Sequence, residues 1–279
     1  MKKTILITGA TDGIGLHTAK ALVALGHAVL IHGRSPEKLA QVEKTLNAIP
    51  NGTQVKPYRA DLSNLSQVAT FASVVKANHS RLDVIINNAG VLKTNTPFNA
   101  DGMDVRFVVN TLAPYLLTQK LLPLLDTTAR VINLSSAAQA PVDLDALRGK
   151  KRVSEDLNAY AQSKLAITMW SFFMAQQLSP KGPMIVAINP GSLLATKMVT
   201  EGFGIAGKDI NMGSDILIRA CLSDEFNHTS GEYFDNDSGQ FAAPHGDALD
   251  AKKNQQLVEC IQDLLNKSRD EPIFTKKIP

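Results

Sequence analysis

Tyr160 and Lys164 stand four residues apart in the stretch Tyr160-Ala161-Gln162-Ser163-Lys164, a phenol and an ammonium placed where both could act on one proton. They lie in a segment, Asp156 to Leu178, whose apolar residues recur at helical spacing, so both side chains leave the same helix face. A free tyrosine has a pKa of about 10 and exchanges protons poorly at neutral pH. An ammonium roughly 4–5 Å away, at an effective dielectric near 20, favours the phenolate by about 3–4 kcal/mol. That predicts a Tyr160 pKa lowered into the range of general acid–base catalysis. The same pair also occurs on solvated helix faces without any chemical role, so its meaning depends on the surrounding elements.

Composition sets the frame for those elements. With 279 residues, 44% hydrophobic and 20% charged, the chain suits a single large α/β domain with a packed core. The net charge of +3 is dispersed, basic residues clustering only at Arg148–Arg152 and in the tail, which argues against a nucleic-acid partner. Cys221 and Cys260 sit in apolar helical contexts and read as buried thiols of a reducing compartment. The apolar run after Met1-Lys2-Lys3 breaks at Gly9, too short for a signal peptide, and no membrane span follows. A cytoplasmic protein without a membrane partner is the expectation. The six histidines lack ligand spacing, so no metal is expected.

Short β-branched runs alternate with longer amphipathic segments, the pattern of parallel strands joined by helical crossovers. Strands are predicted at Lys3–Thr8, Ala28–Gly33, Gln54–Ala60, Asp83–Asn87, Arg130–Leu134, Met184–Ile188 and Gly231–Phe234. Helices are predicted at Gly13–Gly26, Pro36–Ala48, Leu65–Asn78, Met103–Leu125, around Tyr160, at Ile210–Cys221 and at Ala248–Lys267. These make one Rossmann-type, doubly wound parallel sheet of about seven strands in a single domain, residues 1–267, followed by a polar tail at 268–279. Ligands are expected beyond the carboxyl ends of the strands.

The first strand runs into Thr8-Gly9-Ala10-Thr11-Asp12-Gly13-Ile14-Gly15, and a helix begins there. Glycines in such a turn let backbone N–H groups approach a pyrophosphate at the positive end of a helix. The second strand ends in His32-Gly33-Arg34-Ser35, with no acid where an NAD site usually places one. Arg34 can instead clamp a 2′-phosphate, helped by Ser35, which favours NADP(H) over NAD(H). Asp12 is an awkward neighbour, because a carboxylate near that phosphate would repel it.

The octet resembles the TGxxxGxG turn of the short-chain dehydrogenase/reductase family, and other segments match that family in order. By that resemblance Gly9, Thr11, Asp12, Gly13, Ile14 and Gly15 hold the cofactor. Asp61-Leu62 ends the third strand, where relatives bind adenine, although Asp61 is equally suited to cap the next helix. Asn87-Asn88-Ala89-Gly90 resembles the NNAG motif, whose Asn88, Ala89 and Gly90 pass under the cofactor. Asn189-Pro190-Gly191 resembles the PG turn, placing Pro190, Leu193 and Thr196 at the nicotinamide. The glycine-spaced loop that follows, about 192–212, reads as a substrate lid or as a mobile surface loop.

The same resemblance makes Ser136 the serine that steadies the substrate oxygen, with Ser135 as the alternative. Tyr160 becomes the general acid/base, and Lys164 both tunes it and binds the nicotinamide ribose. Asn110 becomes the residue that holds a water linking Lys164 to solvent, or else it satisfies a backbone group. The separation of 24 positions from Ser136 to Tyr160, with Pro141-Val142-Asp143-Leu144 between them, resembles the branch of retinol-dehydrogenase-like and WW-domain-oxidoreductase-like proteins. A homodimer or homotetramer, paired through the helices around Asn110 and Tyr160, is what the resemblance implies. The leading reading is an NADP(H)-dependent oxidoreductase interconverting a small-molecule carbonyl and an alcohol. The alternatives are a non-catalytic NADP-sensing regulator or scaffold, and a nucleotide-sugar epimerase or dehydratase, which needs a larger carboxyl-terminal domain.

Overall fold

The structure, a computed structural model of the 279-residue chain, describes residues 1–50, 53 and 55–270. The chain runs β1 (Thr4–Ile7), α1 (Gly13–Ala24), β2 (Ala28–Gly33), α2 (Pro36–Asn47), β3 (Lys56–Arg59), α3 (Leu65–Asn78) and β4 (Val84–Asn87). Then α4 (Val105–Phe107) continues through a π-helical segment, Val108–Leu112, into α5 (Ala113–Leu121). The second half comprises β5 (Arg130–Leu134), α6 (Leu144–Leu147), α7 (Asp156–Leu178), β6 (Met184–Asn189), α8 (Lys197–Phe203), α9 (Asn211–Leu222), β7 (Glu232–Asp235), β8 (Gln240–Phe241) and α10 (Ala251–Asp270).

Strand order is β3-β2-β1-β4-β5-β6-β7-β8, parallel throughout except for the antiparallel β7–β8 pair. Growth of the sheet changes direction between β1 and β4. Their outgoing loops therefore part, and this opens a crevice at the carboxyl edge. Alternate strand residues feed two cores. Ile5, Ile7, Val84, Ile86, Ile132 and Val186 face α1, α2 and α9, whereas Leu6, Ile85, Val131 and Ile185 face α3, α5, α7 and α10.

Among the described residues the sheet has eight strands where about seven were expected, because β8 is two residues long and carries no periodicity. The third strand is shorter than expected, and Gln54, its expected start, lies outside the described residues. The expected helix Met103–Leu125 is interrupted by the π turn, for which Pro114 supplies a reason. Having no N–H, proline cannot donate to the carbonyl of Asn110 four residues earlier, and its ring crowds that carbonyl. The last helix runs through Asp270, three residues into the expected tail, whose residues 271–279 lie outside the described residues. Leu257, Val258, Ile261 and Leu265 of α10 join the core that holds Trp170, and Gln262 Nε2 donates to Tyr115 Oη at 3.1 Å. The last helix thus packs against α7 and α5 of its own chain.

Arg130, buried at the start of β5, closes the far end of α9. Its Nη1 donates to the carbonyls of Ala220 and Ser223 at 2.7 and 2.8 Å, and its Nη2 to Asn227 Oδ1 at 2.6 Å. Ala220 is among the last residues of α9, whose carbonyls lack intrahelical donors. Arg130→Met should therefore lower the free energy of unfolding in urea by about 2–4 kcal/mol, with Arg130→Lys recovering part of it. An unchanged midpoint in the methionine variant would contradict this role.

Candidate active site

The turn after β1 is fitted to the loop after β4. Gly9 and Gly13 adopt the left-handed φ values of 66° and 54°. A Cβ on Gly9 would fall 2.9 Å from Ala89 Cα, and one on Gly15 would fall 2.4 Å from both the Gly9 carbonyl and Asn88 Nδ2. Asn88 Nδ2 donates to the carbonyls of Thr8 (2.8 Å) and Gly9 (3.1 Å), while Thr8 Oγ1 accepts from the N–H groups of Asn88 and Ala89. Asp12 caps α1 by accepting the Gly13 N–H at 2.8 Å, and Leu16 N–H goes to the Asp12 carbonyl. Among the described residues, the N–H groups of Ile14 and Gly15 have no acceptor, which is the donor set a pyrophosphate needs at a helix N-terminus. Thr11 lies over Gly33, where a Cβ would meet its methyl at 2.5 Å.

The adenosine end differs in detail from expectation. Arg34 is exposed, and Arg59 Nε donates to its carbonyl at 3.3 Å, so the Arg59 guanidinium lies against the Arg34 backbone. Arg59 was missed, although the β2–β3 register that pairs Gly33 with Arg59 is a signal for it. Ser35 does not stand free beside Arg34. Its hydroxyl donates to Glu37 Oε2 at 2.7 Å and caps α2 by accepting the Lys38 N–H. Asp61 is not the cap of α3 either. That position belongs to Asn64, while Asp61 Oδ1 accepts the N–H and hydroxyl of Ser63, and Leu62 is buried. His32, also missed, ties the two loops together. Its Nδ1 accepts the Gly9 N–H at 3.3 Å and its Nε2 donates to the Ala60 carbonyl at 3.1 Å. Burial lowers its pKa to about 4, so the neutral ring is kept.

Tyr160 and Lys164 do share one face of α7, directed at the end of β5. The Lys164 ammonium is 4% exposed, donates to the Leu134 carbonyl at 2.7 Å and lies 5.6 Å from the centre of the Tyr160 ring. Ser135 is turned into α7, its hydroxyl bonded to the Lys164 carbonyl and to Thr168 Oγ1. The Ser136 hydroxyl is instead the one near enough to Tyr160 to act on its titration, and it accepts the Ala138 N–H at 3.1 Å. The expected lowering of the phenol is corrected here. Burial raises the Tyr160 pKa, opposed by its bond with Ser136, and burial lowers Lys164 to about 8. The spacing argument counted the attraction between the two groups and omitted the cost of taking each from water.

Asn110, 1% exposed in the π segment, spends its side chain on a neighbouring backbone. Its Oδ1 accepts the Val91 N–H at 2.8 Å, and its Nδ2 donates to the Val91 carbonyl and to Ser163 Oγ. Ser163 Oγ donates in turn to the Tyr160 carbonyl at 2.6 Å. Arg106, one turn earlier, forks onto Asp104 at 2.8 and 2.6 Å and bonds Asp156, the first residue of α7. This buried guanidinium fixes α7 against α4.

The turn after β6 meets the phosphate turn from the other side. Thr196 caps α8, and its methyl lies 3.6 Å from where a Gly13 Cβ would stand. Leu193 holds a left-handed φ of 57° and is 40% exposed. The loop that follows is ordered as α8, whose Met198 approaches Gly90 and whose Gly202 lies against Leu92. A Cβ on Gly90 would stand 3.5 Å from both Asn110 Oδ1 and Lys164 Nζ. The structure thus brings the phosphate turn, the Asn88–Gly90 loop, Asn110, Ser136, Tyr160, Lys164 and Thr196 to one crevice.

Residues 3–204 match the family described as short chain dehydrogenase. Human retinol dehydrogenase 13 is 30% identical over 263 residues, covering 88% of this chain and 80% of the relative. The crystal structure of an uncharacterized protein from Mycobacterium paratuberculosis is similar with a TM-score of 0.78 at 27% identity, over 95% of this chain and 93% of that one. A Shigella flexneri short chain dehydrogenase complexed with NADP has a TM-score of 0.66 at 27% identity, over 84% and 97%. Sequence, topology and the order of the loops that meet at the crevice agree, and the chain belongs to the short-chain dehydrogenase family.

Proposed function

We propose that this chain is an NADP(H)-dependent oxidoreductase that interconverts a carbonyl compound and an alcohol, its substrate carrying an apolar body. The observation that carries the reading is the Tyr160 ring 5.6 Å from the buried Lys164 ammonium, with Ser136 near the phenol, at the edge where a dinucleotide turn opens. The retinol dehydrogenase relative supports an alcohol with a long apolar body, and the NADP complex of the Shigella flexneri protein supports the phosphorylated cofactor. No helix among the described residues is long and apolar enough to cross a membrane.

The residues present fit the cofactor. Ile14 and Gly15 would receive the pyrophosphate, Arg34 and Arg59 the 2′-phosphate, Asp61 and Leu62 the adenine, and Pro190, Leu193 and Thr196 the nicotinamide. Bound NADPH would supply the hydride, leaving proton and charge to the protein. Ser136 donates a hydrogen bond to the substrate oxygen, and Tyr160 gives that oxygen its proton during reduction. Lys164 stays mostly cationic at neutral pH, its pKa being about 8, and favours the phenolate left behind. The Asn110 carbonyl, to which Pro114 cannot donate, is the acceptor through which water would reach Lys164.

NADPH consumption against a panel of apolar aldehydes and ketones tests the reading. Tyr160→Phe should lower kcat by about 10²–10⁴-fold while keeping cofactor affinity. Full activity in that variant would remove the phenol from the mechanism. Arg34→Asp should raise the Kd for NADPH roughly 10- to 100-fold and leave that for NADH much less affected. Equal losses would end the phosphate-clamp role. Lys164 also leaves a mark on stability. Its folded pKa lies below the ordinary 10.5, so the unfolded chain binds more protons between about pH 8 and 10.5. The cost of burying the charge is therefore complete below pH 8 and is released above it. Lys164→Met should be inactive yet more stable than wild type at pH 7, and that advantage should shrink as pH rises to 10.5. A pH-independent difference would contradict the burial account.

A further inference from the structure

The turn between β7 and β8, Asp235-Asn236-Asp237, carries more side-chain bonds to another loop than a hairpin of this size needs for itself. Asn236 Nδ2 donates to the carbonyls of Pro190 (2.9 Å), just before the loop 192–212, and Met212 (3.1 Å), at its end. Asp237 Oδ1 accepts the Ser192 N–H at 2.9 Å, and its Oδ2 accepts the Ser192 hydroxyl and Asn189 Nδ2 (2.9 Å). Lys208 Nζ stands 3.9 Å from the same carboxylate. Asp235 braces the arrangement by accepting Asn189 Nδ2 at 2.7 Å and the Asp237 N–H at 3.2 Å. The turn is therefore joined to the loop near both of its ends.

The loop answers this hold with bonds of its own. Lys208 N–H reaches the Leu193 carbonyl and Ala195 N–H the Lys208 carbonyl, both at 2.7 Å, so the two stems run side by side. Gly207 permits that approach, since a Cβ there would fall 2.7 Å from the Ala195 backbone. A leucine in the left-handed region, as at Leu193, costs about 1–2 kcal/mol and persists only where neighbours impose it. Beyond the stems, α8 sits over Gly90 and Leu92, and Leu193, Phe203 and Ile205 stay 40–46% exposed around it.

We infer that Asn236 and Asp237 are positioning residues of the active site, gripping both stems of loop 190–212 so that the Pro190 turn and α8 stay in place over the crevice. Their catalytic consequence rests on the oxidoreductase reading, but the grip itself does not. An apolar substrate would enter beneath α8, so loosening the stems should weaken substrate binding more than the proton transfer at Tyr160.

Backbone hydrogen exchange on the ligand-free protein separates the two claims. Asn236→Ala and Asp237→Ala should speed exchange across residues 191–208 by about tenfold, as expected for the loss of one or two hydrogen bonds, with α7 and β5 unchanged. Asp237→Asn should fall between, because its amide oxygen still accepts the Ser192 N–H while its NH2 meets Asn189 Nδ2. In turnover, the alanine variants should raise KM for an apolar carbonyl by more than they lower kcat. Exchange unaltered over 191–208, or accelerated equally in α7 and β5, would overturn the assignment. A wild type that reduces no carbonyl, with the variants still loosening residues 191–208, would refute the proposed reaction and support the grip.

Discussion

Burial of the Lys164 ammonium is the constraint on which the geometry of the crevice depends. One carbonyl, that of Leu134, receives it at 2.7 Å, and its surroundings hold its pKa down at about 8. A charge so poorly hydrated stays in place only if the helix that carries it cannot slide. Polar bonds between β5 and α7 provide that restraint. Ser135 reaches the Lys164 carbonyl and Thr168, and Asn133 joins Ser171 at 2.8 Å and Asn87 at 2.7 Å. Hydrogen-bonded pairs buried in an apolar core fix one register where apolar packing alone would accept several.

The cofactor side of the crevice is aligned with this seam through two asparagines. Asn88 binds the phosphate turn to the end of β4, and Asn110 binds the chain just after Gly90 to Ser163 on α7. The distance from the unpaired N–H groups of Ile14 and Gly15, proposed to receive the pyrophosphate, to the phenol of Tyr160 is therefore set by short bonds rather than by loop preference. Arg106 adds the outer brace, joining α4 to the first residue of α7. Preorganisation of this kind matters because a group misplaced by about 1 Å can cost a hundredfold in rate.

Much of this was legible in the residues themselves. The alternation of β-branched runs and amphipathic segments yields the doubly wound sheet, and the octet from Thr8 to Gly15 sits between the first strand and the first helix as its glycines require. Tyr160 and Lys164 share a face because helical spacing demands it. The misses have physical causes. The phenol's direction of shift was misjudged because attraction is readable from spacing and burial is not. Ser35 was read as an aid to Arg34 and Asp61 as an adenine ligand or a helix cap, whereas each satisfies a nearby backbone N–H, a competition that short polar side chains usually settle locally. β8 and the Asn236–Asp237 turn carry no periodicity, and their partners lie far along the chain, so nothing local announces them. Arg59 was within reach, since the pairing of two predicted strands places it beside Arg34.

The central claim is that a lysine with suppressed basicity sits beside a protonated phenol before any ligand binds. Nuclear magnetic resonance of the ligand-free protein with 13C,15N-labelled lysine, assigned by comparison with Lys164→Met, reads the titration of that one ammonium directly. The account predicts a midpoint near 8 for Lys164. A midpoint at the ordinary lysine value of about 10.4 would contradict it.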